Sequence, residues 1–249
     1  MINNYYSKWQ LGFTLVEMAI VLVILGFVLS ALLLPLQAQR QQVFQAQTET
    51  TLENARRALL GFAQQQGRLP CPATAASNGM SLPLAGGTCN QQVGFLPAAT
   101  LGIQPTDAQG FALDGWNNRI RYAVTQINTA GGAVTPDFTT SGEMANVGIA
   151  ALAPNLRVCG TSTAANCTAA INLINNAVAV IYSLGATGAQ AIGGVDETEN
   201  LNAVANIDMV YVSHDITAVS APNGEFDHIV TWISPFVLYN AMIQAGQLH

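Results

Sequence analysis

From Phe13 to Leu34 the chain reads FTLVEMAIVLVILGFVLSALLL, a run whose only charge is Glu17. Few folds accommodate such a segment. As a helix rising 1.5 Å per residue it is about 33 Å long, enough to cross a hydrocarbon core of about 30 Å once with slight tilt. Later apolar stretches, such as Ala177 to Leu184 and Ile229 to Leu238, are short or interrupted by polar residues. The sequence therefore predicts one membrane segment, at the N-terminus. The remainder suits a single folded domain: 50% of residues are hydrophobic and only 9% charged, against about 25% in an average soluble domain. A formal charge of -6 leaves no basic field for a phosphate backbone, so general nucleic-acid binding is not expected.

A carboxylate four residues inside an apolar run needs a reason, since insertion scales put a charge at a helix centre at about 2.5 to 3.5 kcal/mol, less near an end. A cleaved secretory signal, with Lys8 as its positive region, fits poorly. Its apolar core usually has about 7 to 15 residues and ends at an Ala-x-Ala-like site, whereas this run is longer and continues into Pro35, Leu36, Gln37, Ala38. A plain signal anchor leaves Glu17 unexplained. The residues Gly12, Phe13, Thr14, Leu15, Val16, Glu17 resemble the processing motif of the type IV prepilin and type II secretion pseudopilin family. The resemblance implies that a prepilin peptidase cuts after Gly12 and that the new N-terminal Phe13 is N-methylated. Such a cut would create a cationic amine that Glu17 of a neighbouring subunit can neutralise in a low-dielectric helix bundle. It would also remove Lys8, leaving a formal charge of -7.

Beyond Pro35 the sequence is polar and rich in helix formers, with Leu52, Ala55, Leu59 and Phe62 on one apolar stripe and Glu53 set to pair with Arg56 and Arg57. Pro35 is a candidate kink, and the helix is expected to end near Gly67, before Leu69-Pro70. From Phe13 to Gln66 it would reach about 80 Å if continuous. Residues Arg68 to Pro105 read as an ordered loop region. Strand candidates are Arg119 to Thr125, Ala177 to Ser183, Ile207 to Ser213 and His228 to Ile233, suited to one antiparallel sheet. Ser234-Pro235 opens a last short helix ending near Gly246. Thr129 to Ala170 is the least readable stretch. The expected fold is α+β and pilin-like: a long N-terminal helix, membrane half plus amphipathic half, packed on a small antiparallel sheet with disulfide-stapled loops. The expected divisions are a cleaved leader (1–12), the membrane and assembly half (13–35), the amphipathic half (36–67) and a periplasmic globular domain (68–249).

Cys71, Cys89, Cys159 and Cys167 all follow the membrane segment, and in an exported domain they are expected to form disulfides. Sequential pairing is chosen among three connectivities. Zinc held by these cysteines is disfavoured, because no spacing is of the close Cys-x2-Cys type and no His lies near either pair.

Asp114, Gly115, Trp116, Asn117, Asn118 with Arg121-Tyr122, and Tyr182 to Gly188 with Gly193-Gly194, more loosely resemble two stretches of the major pseudopilin's globular domain. That resemblance implies a calcium loop in the second stretch, although Thr187 stands where the family usually has Asp. Asp196, Glu197, Glu199 and Asp208 could still supply part of the six to eight oxygens that Ca2+ takes; the alternative is a solvated acidic turn. No other cofactor is expected. Ser213, His214, Asp215 and Asp227, His228 make poor catalytic sets, because adjacent strand residues face opposite ways. His214 and His228 are read as surface or strand-end residues, and Trp116 and Trp232 as core packing.

No enzyme is predicted. The expected function is that of a minor pilin or pseudopilin, a structural subunit of a type IV pilus or type II secretion pseudopilus, with other subunits, prepilin peptidase and the inner membrane as partners. It would begin as a single-pass inner-membrane protein with a periplasmic C-terminal domain and end in a filament at the cell envelope. The alternative is a membrane-tethered or pilus-tip adhesion domain, whose ligand pocket would lie in the Ala73 to Gly94 or Thr129 to Ala170 loops.

Overall fold

The structure is a computed structural model describing residues 12–129, 135–162, 167, 171–188, 193–201 and 208–249, with residues 31–38 as backbone only. Lys8 and the rest of the leader before Gly12 lie outside the described residues. The chain divides into two units, Met1–Val43 and Phe44–His249. Helix α1 (Leu15–Gln66) begins in the first and ends in the second, and is helical across Pro35.

In the first unit, described side chains of the apolar run lie open: Leu15 is 90% exposed, and Val16, Leu22, Phe27 and Leu29 are exposed as well. Among the described residues no helix is long and apolar enough to cross a membrane.

In the second unit the amphipathic stripe does what its spacing dictates. Leu52, Ala55, Leu59 and Ala63 are buried at i, i+3, i+7 and i+11, while Phe62 turns aside and lies half-buried, 5.1 Å beneath the Arg68 guanidinium. Glu53 pairs with Arg56 at 2.7 Å and Arg57 at 2.9 Å on the opposite face, as predicted. The helix ends at Gln66, where Gly67 takes a φ of 65°, a left-handed turn that glycine adopts without steric cost.

The stripe packs on an antiparallel sheet ordered β1 (Val93–Phe95), β2 (Arg121–Val124), β5 (Ala179–Ser183), β7 (Ile229–Ile233). Alternation along the strands separates two cores. Tyr122, Val124, Ala179, Ile181 and Ile233 join the helix side, together with Leu238 and Met242 of α5 (Pro235–Gln244). Ala123, Val180 and Tyr182 face the other way, onto Leu156, Val158 and Tyr211 of a second sheet, with Trp232 packed at its margin. That sheet runs β4 (Asn172–Ala177), β3 (Leu156–Cys159), β6 (Val210–Val212), with β4 antiparallel and β6 parallel to β3.

The α+β, helix-on-sheet expectation holds, and three of the four strand candidates share the antiparallel sheet. The fourth, from Ile207 to Ser213, supplies β6 of the second sheet instead, because its parallel partner β3 sits in the stretch that composition left unreadable. The candidate Ala177 to Ser183 is the end of a longer extended run. The chain leaves one sheet at Ala177 and enters the other at Ala179, so β5 is buried on both faces and reads as unbroken apolar sequence. The loop region Arg68 to Pro105 contains an edge strand, β1, and the short helix α2 (Ala98–Leu101). The Thr129 to Ala170 stretch contributes α3 (Glu143–Val147) as well as β3. Ser234 caps α5 with Pro235 in its first turn, as the sequence predicts. The disulfides are sequential, Cys71–Cys89 and Cys159–Cys167.

Candidate functional site

Gly12, Phe13 and Thr14 lead into α1, and Phe13 is 83% exposed. Thr14 and Glu17 close the first turn as a capping box: the Thr14 N–H and hydroxyl each donate to Glu17 Oε2 at 2.8 Å, and the Glu17 N–H donates to Thr14 Oγ1 at 3.2 Å. The signature Thr-x-x-Glu at 14–17 is a local helix-start signal, a role for Glu17 that the sequence analysis did not include. The negative group thus sits at the positive end of the helix dipole, the position where an N-terminal amine would also lie.

The two loosely resembling stretches are joined in the second unit. Asp114, 2% exposed, accepts from the N–H groups of Trp116 (2.9 Å) and Asn118 (2.8 Å) and from the Ser183 hydroxyl, and Asn118 Nδ2 donates to Gly185 O at 2.6 Å. Burial raises the Asp114 carboxyl above the usual range, although these donors pull the other way. The loop docks on α1, where the Gly115 N–H donates to Thr48 Oγ1 at 2.9 Å and a Cβ at 115 would collide with the Phe44 backbone. Trp116 meets Phe44 edge-on at 6.1 Å between ring centroids. The loop therefore ties helix to sheet.

The four acids considered for calcium are split by α4 (Val195–Asn200), which carries three of them. Asp196 is 3% exposed and accepts from Thr161 Oγ1 and Asn223 Nδ2 at 3.0 Å and from the Ser162 N–H, with His214 Nε2 at 3.3 Å. Burial would raise its carboxyl, but these partners prevail and hold it below the usual range. Glu199 turns to Ser162 and toward Asp208; burial first, then Asp208, pushes it up to about 7. Glu197 points elsewhere, its Oε1 accepting from the Asp227 N–H at 2.7 Å, and burial with the Asp227 carboxyl pushes it up to about 7.

Thr187 binds Asp227 Oδ2 through its N–H (2.8 Å) and hydroxyl (3.0 Å). Among the described residues, one group of three potential ligands converges, and it is Glu197, Asp227 and His228. Sequence reasoning missed this grouping, since nothing local to 227–228 signals that the segment folds back beside α4. His228 is a strand-end residue, immediately before β7, but not a surface one: it is 4% exposed, lies 3.3 Å from Asn200 Nδ2, and burial pushes its imidazole down to about 4. Ser213, His214 and Asp215 form no relay, because His214 Nδ1 meets the backbone carbonyl of Asp215 and its Nε2 faces Asp196.

A helix laid on an antiparallel sheet, opening on a capped apolar segment and accompanied by two disulfides, makes this an α+β protein. Residues 10–33 match the family description "Prokaryotic N-terminal methylation motif", so the chain carries the type IV pilin and pseudopilin signature. No curated protein and no solved structure matches the chain. The motif supports a pilin-type or pseudopilin-type subunit, points to a structural rather than an enzymatic role, implies assembly with like subunits and a peptidase, and suggests association with the envelope or a pilus.

Proposed function

We propose that this chain is a minor subunit of a type IV pilus or type II secretion pseudopilus. Prepilin peptidase cuts it between Gly12 and Phe13, and Phe13 is N-methylated. The segment from Phe13 to Leu34 holds the subunit in the inner membrane with the globular unit in the periplasm, and the same segment then packs among its counterparts in the filament. The supporting observation is the exposed apolar helix whose first turn presents Glu17 inside the matched motif. In this reading Glu17 neutralises the Phe13 amine of an adjacent subunit, so that two charges costly in a low-dielectric core offset one another.

Replacing Glu17 with Val is expected to leave export and cleavage intact while incorporation into sheared filaments falls at least about tenfold, a loss of about 1.4 kcal/mol or more in assembly. Intact and N-terminal mass spectrometry of the membrane-extracted protein should find Phe13 first and one added methyl group. A native chain that keeps Met1–Gly12, or normal incorporation of the Val variant, would overturn the assignment.

One observation favours the adhesion reading as a second possibility. A cavity of about 430 Å³ lies between the 149–154 loop and α5, lined by Ile149, Leu152, Phe236, Tyr239 and Ile243, with Phe236 78% exposed. Only Ile149, Leu152 and Pro154 of its lining come from the Thr129 to Ala170 stretch; the rest belongs to Asn176 and α5. Retention of the protein on a glycan array, without filament incorporation, would select that reading.

A further inference from the structure

Away from the N-terminal motif, two carboxylates and an imidazole meet in the interior. Glu197 comes from α4, while Asp227 and His228 are the two residues before β7; all three are buried, and one ligand atom from each lies within 4.8 Å of the others. The ion pairs of the described residues, those of Arg56, Arg57, Arg119 and His214, include none of the three. Asp227 is only 7% exposed. Its Oδ2 takes the two Thr187 donors, but its Oδ1 is buried with no hydrogen-bond partner. Bare backbone crowds the carboxylates: a Cβ on Gly185 would strike Asp227 Oδ1, and one on Gly193 would strike Glu197 Oε2.

An unpaired carboxylate oxygen in the interior beside a second carboxylate is destabilising. A proton shared between the acids would remove charge, whereas a divalent cation would remove charge and also occupy the open lone pairs of Oδ1. The donor set selects the kind of cation. Calcium takes six to eight oxygens in an all-oxygen shell, while two carboxylates and one neutral imidazole suit a borderline ion of the zinc type, four-coordinate with one position left for water. Asn200, whose side-chain amide is fixed by both backbone groups of Val212, points its Nδ2 as a donor at His228 Nδ1, 3.3 Å away, and so limits the rotation of the ring.

We propose that Glu197, Asp227 and His228 bind a single zinc-type divalent cation that clamps α4 to the entry of β7. Because Asn200 anchors α4 to β6 and His228 precedes β7, the ion would fasten a helix held by the second sheet to the entry of a strand of the first. This site is independent of the filament assignment and stands or falls without it.

The test uses the untagged full-length protein in detergent micelles, stripped with a chelator and titrated with zinc chloride alone. One zinc per chain is expected, with a rise in melting temperature of about 5 to 10 °C at roughly a hundredfold excess over Kd. Asp227→Asn and His228→Gln should each weaken zinc at least about tenfold. If either variant fails to fold, the wild-type protein still decides the matter through the imidazole NMR signal of His228, which must shift on zinc addition. Absence of stoichiometric uptake, uptake undiminished in both variants, an unmoved His228 signal, or a melting rise with calcium chloride but not zinc chloride would each overturn the proposal.

Discussion

Leu22 and Leu59 lie on the same helix, yet the first is 64% exposed and the second wholly buried. In the second unit the apolar residues of α1 come as a stripe, because a sheet covers one side only; in the first they run all round, and those described are exposed. The same contrast separates two glutamates. Glu197 is enclosed by its own fold and pushed up to about 7, whereas Glu17 is exposed and engaged by its neighbour Thr14.

The sharpest way to break that contrast is to make one substitution on both sides of it. Leu59→Ala removes a fully buried side chain and should destabilise the second unit by about 2 to 5 kcal/mol in urea unfolding. Leu22→Ala should leave the monomer in micelles within about 0.5 kcal/mol of wild type, its effect confined to assembly. Equal losses would show that the first unit packs on its own chain after all.

Removing the disulfides is the next largest effect expected. In the loop-entropy account, loss of Cys71–Cys89, separated by 18 residues, should cost about 3 kcal/mol, and loss of Cys159–Cys167, separated by 8, about 2.5 kcal/mol. Denaturation of the paired serine variants measures both. The first unit contains no cysteine and its helix should be unmoved.

Thr14→Ala removes the reciprocal cap and should destabilise the first turn of α1 by about 1 kcal/mol. Faster amide exchange near Glu17 is the expected reading, with the melting temperature of the second unit unchanged.

The smallest effect is a pH dependence. Burial would raise the Asp107 carboxyl, but the Phe111 N–H, the Arg119 guanidinium at 2.7 Å and the Gln109 N–H outweigh it and hold it below the usual range. A depressed carboxyl stabilises the fold above the ordinary aspartate value near 3.9, and that contribution disappears as pH falls through the folded value. Asp107→Asn should therefore cost under about 1 kcal/mol at pH 7, and the gap to wild type should narrow as the pH falls below the ordinary aspartate value.

What the residues disclosed followed the range of the signal. Short-range patterns were legible: the apolar run, the stripe at 52, 55 and 59, the Glu53 pairings, the Ser234-Pro235 cap and the sequential cysteine pairs each depend on near neighbours in the chain. Long-range closures were not. The parallel match of β6 to β3, at Val158 opposite Tyr211, leaves no local mark, and neither does the return of Asp227 and His228 to α4. Phe62 fitted a helical stripe by spacing, yet Ala63 took the buried place on the helix and the larger ring went to Arg68 at the margin.

The extended run from Asn172 to Ser183 serves first one sheet and then the other, passing over at a wholly buried Val178. With a single strip of backbone woven into both layers, neither can peel away while the other stays intact, so the globular part should lose its structure in one concerted calorimetric transition. A pull applied along that strip would load both layers at once.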